Sequence, residues 1–521
     1  MTPTGPTMIE EPASSTSRRI VAFVAIAVVL AGLGVVERVT GGDGGGVEVG
    51  AVEPRTVAPV GGPPGALGTT WFCAAGTASE DGVADHTVVI ANPTQAAVTA
   101  RVTAFPGTLA GDANAAEVTQ QGFPTQTVDV AALSRVSVRL ADLVDAPFAA
   151  ALVEVDAGEV AVDHVLTGAD IAAGPCASSA STDWYFATGA TTRDARQILT
   201  LFNPFPETAV VEMSFSVAQE GGRRPNEFQG FPVPGRSLVA VDIGAVVTRY
   251  HQVATSVRAR SGRLVVERIQ TFDGSEGPRG MDVSLGAPRP SGLWYYPEGL
   301  TGDGLTEVYT VYNPSDEDEA QVDLEVALDD PATNGAVQPF EISVAPRAAV
   351  QVVMNSETRV PAGIAHSVTV RSANGVPVVA ERFVSAVSPS TRSGIGYTIG
   401  SPVVATSWIL AAGQANAEMA EVLVLQNPSS DTIAHVRVTA IAGGQRLPVD
   451  QLQDLEVPQT GRLAVDLGAY INRDDLALVV EADVPIVVER GLFRVGSRGL
   501  SLAPGVAAFD GAIVPDPEVV R

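Results

Sequence analysis

Few residues in this chain of 521 have the types and spacing that chemistry needs. There are two cysteines, Cys73 and Cys176, and five histidines, His86, His164, His251, His366 and His435. A catalytic thiolate needs a base beside it, and a structural zinc needs four ligands. No histidine lies near either cysteine in sequence, and two cysteines alone leave a zinc site incomplete. The favoured reading is a Cys73–Cys176 disulfide, which requires an oxidising compartment. Closing a loop of about 100 residues adds up to ~4.7 kcal/mol in the chain-entropy model. No G-x-S-x-G elbow, H-E-x-x-H pair or phosphate-binding loop occurs, and the histidines do not recur as a pair. The acidic run SDEDEA, Ser315 to Ala320, lacks the spacing of a calcium-binding loop. The expectation is a protein without catalytic residues, cofactor or metal.

A charged dipeptide does recur. RLVVERI, PVVAERF and PIVVERG carry Glu267-Arg268, Glu381-Arg382 and Glu489-Arg490, and Asp163-His164 stands at the corresponding place earlier in the chain. Each dipeptide closes a valine-rich run. Neighbouring strand residues point to opposite faces, so one charge of each pair is turned inward and requires a partner. An arginine precedes a second alternating run at Arg135, Arg236, Arg347 and Arg462. The pairing expected from this order is within one unit: Glu267 with Arg236, Glu381 with Arg347, and Asp163 facing Arg135.

The elements that position these residues follow from the four tryptophans. Trp71, Trp184, Trp294 and Trp408 begin WFCAAG, WYFATG, WYYPEG and WILAAG, at spacings of 113, 110 and 114 residues. Asn-Pro closes an apolar run 19 to 21 positions later, at Asn92, Asn203, Asn313 and Asn427. Alternating stretches such as AVVEMSFSV and AQVDLEVAL read as strands. A period near 110 residues with seven or eight short strands predicts one antiparallel sandwich per repeat, immunoglobulin-like in kind. The tryptophans are expected to plug the core and the Asn-Pro pairs to end strands. The glycine five residues after each Trp would permit a bend or a positive φ.

The fold class is therefore all-β: four tandem sandwiches at 71–180, 181–290, 291–404 and 405–515. Before them the sequence predicts a cytoplasmic tail at 1–19, a transmembrane helix at 20–36 and a Gly/Pro-rich tether at 37–70. Ile20 to Val36 is an uncharged run preceded by Arg18-Arg19. As a helix it spans ~26 Å, and the arginine pair places the bulk of the chain outside. A cleaved signal peptide is the rival reading.

The combination of WYFATG, the Asn-Pro turn and the VVAER ending resembles a repeat of membrane-anchored or secreted proteins in GC-rich Gram-positive bacteria, grouped as a domain of unknown function. That resemblance runs from about residue 70 to 515. It implies a cell-envelope location and a repeated β-sandwich region without an assigned activity.

The formal charge of -27 repels nucleic acid. The function expected is a non-catalytic envelope protein, membrane-anchored, whose partner is an envelope protein or a cell-wall glycan. The alternative is an array of carbohydrate-binding modules, with the aromatics of WYF and WYY exposed.

Overall fold

A computed structural model of the chain describes residues 52–80, 82–218, 221–329 and 337–517. The expected tail at 1–19, span at 20–36 and first part of the tether lie outside the described residues. Among the described residues no helix is long and apolar enough to cross a membrane. From Val52 onward the chain forms one compact, nearly all-β unit.

Eight strands of the second repeat set the pattern: Asp183–Phe186, Ala195–Asn203, Ala209–Val217, Gln229–Val233, Ser237–Asp242, Val253–Ser261, Val265–Asp273 and Arg279–Leu285. They pair antiparallel in two sheets, first-sixth-third-fourth and fifth-second-seventh-eighth. Among the described residues the same two orders recur from each of the other tryptophans. In the fourth copy one long strand, Arg473–Arg494, serves as both sixth and seventh. The two sheets of copy two share a core, to which Trp184, Val211 and Met213 come from one sheet and Leu199, Leu201 and Val266 from the other.

Side-chain patterning records which strands have one wet face. Ala320–Leu328 alternates strictly, with Ala320, Val322, Leu324, Val326 and Leu328 buried and the residues between them partly exposed. The second strand of copy two, ARQILTLFN, is buried along seven consecutive residues because a neighbouring copy covers its other face.

The copies close a ring. Their eighth strands, Ile171–Pro175, Arg279–Leu285, Gly394–Ile399 and Leu500–Pro504, meet around a common axis. Ala173 N donates to Ser501 Oγ at 2.8 Å, and Thr398 Oγ1 donates to Leu502 O at 3.1 Å. Copies one and two are also stitched by a parallel pairing of Gly107–Leu109 with Leu238–Ala240, which merges two sheets into one of eight strands.

The second half of the expected tether is a docked strap. Val57 and Val60 are buried; Val60 N donates to Ser178 Oγ, Gly61 N to Ala507 O and Gly62 N to Gly158 O. Two valines with an apolar niche to fill outweigh the Gly/Pro composition that reads as a free linker.

Candidate functional site

Each residue singled out in the sequence has a definite place. The four tryptophans are no more than 1% exposed. Trp184 Nε1 donates to Leu264 O at 2.8 Å, Trp294 Nε1 to Val378 O at 2.9 Å and Trp408 Nε1 to Ile486 O at 3.2 Å. In these three copies the indole ties the first strand to the start of the seventh, in the opposite sheet, whereas Trp71 Nε1 is buried without a hydrogen-bond partner.

The asparagines make the converse tie. Asn203 Nδ2 donates to Glu207 O, Val233 O and Pro234 O, while its Oδ1 accepts from Phe205 N. Asn92, Asn313 and Asn427 repeat this with Val130, Val344 and Val457. One buried amide ends the second strand and pins the fourth strand of the facing sheet, leaving its own groups satisfied.

Cys73 and Cys176 form a disulfide. By strand register Cys176 stands where the second and third copies have Gly286 and Gly400. There a Cβ would come within 2.9 Å of the Phe186 ring and 2.7 Å of the Tyr296 ring. Phe186 and Tyr296 are the counterparts of Cys73, two residues after the Trp. The disulfide therefore occupies the site at which the second and third copies press glycine onto an aromatic ring.

The charged dipeptides pair across copies. Arg268 Nη2 meets Glu381 Oε1 at 2.5 Å, Arg382 meets Glu489, and Arg490 Nη2 meets Asp163 Oδ2 at 3.2 Å. His164 Nε2 stands 3.8 Å from Glu267 Oε2 and closes the circle. The basic member of one copy faces the acidic member of the next, and copy four faces copy one. All eight side chains are buried. Each carboxylate also accepts a backbone N–H from the residue four after the Trp: Ala75 to Glu267 at 2.6 Å, Thr188 to Glu381 at 3.0 Å, Glu298 to Glu489 at 3.0 Å and Ala412 to Asp163 at 2.9 Å.

The glycine one step further on is needed for space. A Cβ on Gly76, Gly189 or Gly413 would lie 2.5 to 2.7 Å from His86, Gln197 or Glu421. Of the four, Gly76 is the one with a positive φ in the left-handed range.

The pairing expected within each unit is thus corrected. Glu267 and Glu381 do not meet Arg236 and Arg347. Strand register places Arg135 and Arg462 at one position of the fifth strand, opposite Ala91 and Gln426. Arg236 and Arg347 sit two residues earlier in the preceding turn, with φ of 53° and 56°. From their strand Arg135 and Arg462 reach the previous copy's loop: Arg135 Nη1 donates to Ala411 O and Gly413 O, and Arg462 Nε to Pro297 O. Arg347 Nε binds Asp316 Oδ1 at 2.5 Å, which commits part of the acidic run. Among the described residues no three His, Cys, Asp or Glu side chains gather at metal-binding geometry.

Sequence reasoning missed a second buried polar position. His86, Gln197, Glu307 and Glu421 occupy one register position on the second strands, and all are buried. Their signal was a polar residue six before each Asn-Pro asparagine, inside an otherwise apolar run. His86 Nε2 lies 3.2 Å from His164 Nδ1, and Tyr309 OH donates to Glu307 Oε1 at 2.8 Å, with His366 beside it at 2.9 Å.

Burial dominates the electrostatics. It pushes Glu267 up to about 8 and Glu421 up to about 7, and lowers His86 to about 4 and His164 well below its ordinary value. Burial also opposes the charge on Arg382, but Glu489, Tyr309 and Glu307 more than offset it and raise its pKa. The seam between copies one and two is therefore neutral near pH 7, while the next two are ionic.

At the axis the segments around Gly174, Gly286, Gly400 and Gly505 surround a cavity of about 80 Å³ bordered by Val57–Pro59 of the strap. That volume holds a few waters rather than an organic ligand.

No curated protein matches the chain. Solved structures with local likeness include Thermotoga maritima 1070 (20% identity, 22% of this chain and 94% of that one, TM-score 0.18). The Anabaena sensory rhodopsin transducer aligns at 22% identity over 18% of this chain and 94% of its own, TM-score 0.15. A Streptomyces avermitilis alpha-L-rhamnosidase complexed with L-rhamnose aligns at 9% identity over 69% of this chain and 45% of its own, TM-score 0.12. Scores this low carry no argument about this chain. The family of unknown function DUF5719, in contrast, matches residues 167–293 and 289–494, and the chain belongs to that family.

Proposed function

We propose that the protein is a non-catalytic component of the cell envelope. In this reading the segment 20–36 anchors it, and four immunoglobulin-like sandwiches form a rigid ring outside the membrane. The outer surface of that ring serves as spacer and docking platform for an envelope protein or a cell-wall glycan.

The observation that carries this reading is the commitment of the recurrent charged residues to the seams. Glu267, Arg268, Glu381, Arg382, Glu489 and Arg490 are buried among one another and the loops they clamp. Side chains that would otherwise invite a catalytic interpretation act here as fasteners. The Cys73–Cys176 disulfide supports an oxidising compartment. The alternative, an array of sugar-stacking modules, needs aromatic platforms in solvent, and the burial of Trp71, Trp184, Trp294 and Trp408 weighs against it.

The test is to use the full chain as bait for an envelope extract, beside binding to purified cell-wall glycans. Specific capture of one envelope protein, competed by free chain, is the expected result. Retention by glycans alone would favour the second reading, and retention by neither would remove the docking role.

A further inference from the structure

The four seams share one niche, apolar at two of them and polar at the other two. The niche is built by the residue after the Trp, its partner on the sixth strand, and the residue before the Asn of the next copy. Between copies one and two these are Phe72, Leu152 and Phe202, with the two rings 6.5 Å apart. Between copies four and one they are Ile409, Val479 and Ala91, joined in one apolar core. Between copies three and four they are Tyr295, Thr369 and Gln426, with Gln426 Nε2 donating to Thr369 Oγ1 at 3.2 Å.

Between copies two and three the set is Tyr185, Ser256 and Tyr312. Here the niche borders a cavity of about 260 Å³. Ser256 Oγ and the Tyr312 hydroxyl, both on its lining, hydrogen-bond to each other at 2.9 Å.

Arginines gather on this cavity. Arg224, Arg258 and Arg347 line it, in a chain whose acidic residues outnumber its basic ones 59 to 32. Asp183 engages Arg258 through Nε at 2.8 Å, and Asp316 engages Arg347 through Nε at 2.5 Å. Arg224 Nη2 reaches Asp316 at 3.8 Å, beyond hydrogen-bond length. The remaining lining carboxylate, Glu212, is engaged by Arg260. A guanidinium carries five donors, so each has edges left to offer.

We propose that this cavity binds a small hydroxylated acid: a carboxylate or phosphate on a body of about monosaccharide size. Guanidinium forks take planar or tetrahedral anions, and the paired hydroxyls of Ser256 and Tyr312 exchange hydrogen bonds with the ligand's own. The volume lies just under the ~300–1,000 Å³ range of small-molecule sites and matches a ligand of monosaccharide size. The site is independent of the platform role, which stands with or without it.

Calorimetry and ligand-observed NMR on the full chain test this with glucuronate, glucose 6-phosphate and neutral glucose. The expected result is that at least one acid binds, weakening as salt rises, while glucose does not. Arg224→Ser should weaken it about ten-fold or more, the value of one lost charge-assisted contact. Arg101→Ser, at an exposed arginine of copy one, should leave it unchanged. Ser256→Leu installs the copy-one residue, fills the niche and should abolish binding in a folded protein. Preference between the two acids separates carboxylate from phosphate. Binding of neither acid at millimolar concentration, or equal loss in the Arg224 and Arg101 variants, overturns the proposal.

Discussion

The Arg268–Glu381 and Arg382–Glu489 seams close on buried ion pairs, whereas the seam between copies one and two sets His164 against Glu267. The backbone framework is the same in each: the carboxylate hangs from an N–H of the loop after the Trp. What differs is the charge state. Glu267 is held protonated near neutrality and His164 neutral, so that seam closes without ions. The cation is therefore not what defines the ring. Backbone donors and apolar packing set the geometry, and the ion pair makes three seams intolerant of losing either partner.

The largest effect expected from breaking this contrast is at an ionic seam. Arg382→Met leaves Glu489 buried and unpaired and should cost ~3–5 kcal/mol in denaturant unfolding. Adding Glu489→Leu should recover most of that loss. If the single and double variants are equally unstable, the ion pair is not the fastener.

Next comes the disulfide, in the copy that also carries the histidines. Cys73→Ser with Cys176→Ser should cost ~2–5 kcal/mol. Cys73→Phe with Cys176→Gly recreates the glycine-on-ring packing of copy two and should lose measurably less, read as a smaller drop in Tm.

The neutral seam is expected to show itself through pH. The folded pKa of Glu267 is raised, so its contribution is full below about 4.5 and is lost as pH rises through about 8. His86 and His164 have lowered folded pKa values; their contribution is present above about 6.5 and is lost as pH falls through about 4 for His86. Glu267→Gln should therefore stabilise the protein relative to wild type above pH 8, by a few kcal/mol, since its pKa rises from 4.5 to about 8 on folding and each tenfold change in proton affinity is worth about 1.4 kcal/mol. The gain should shrink towards pH 4.5. Installing the copy-two residues, His86→Gln with His164→Arg, should convert the seam to an ionic one and flatten the alkaline decline. Thermal unfolding scanned across pH 4 to 9 reads both.

The smallest effect is expected at the surface. The Arg101–Glu154 pair is exposed on both sides, and Arg101→Ser should change stability by under ~1 kcal/mol.

Much of the fold was legible in the sequence. The spacing of Trp71, Trp184, Trp294 and Trp408, the Asn-Pro pairs and period-two runs such as AQVDLEVAL lead directly to repeated strand order, buried indoles and strand ends. That one charge of each Glu-Arg dipeptide turns inward was legible too, because a charge inside a valine run must face something; that both are buried was not, because the second face is covered by a neighbouring copy. Which partner it faces was not. Arg236 and Arg347 resemble Arg135 and Arg462 in linear order, yet two residues of offset move them from a strand into a left-handed turn.

What the sequence by itself determined is therefore local and periodic: where strands run, which faces are apolar and how one copy is pinned. Tertiary structure alone decided that Arg268 meets Glu381 of the following copy, that Arg490 returns to Asp163 of the first, and that Val57 and Val60 dock as a strap. Periodicity fixes the direction a side chain points. The identity of what it meets depends on how whole sheets are rotated against one another, and no short window of sequence records that rotation.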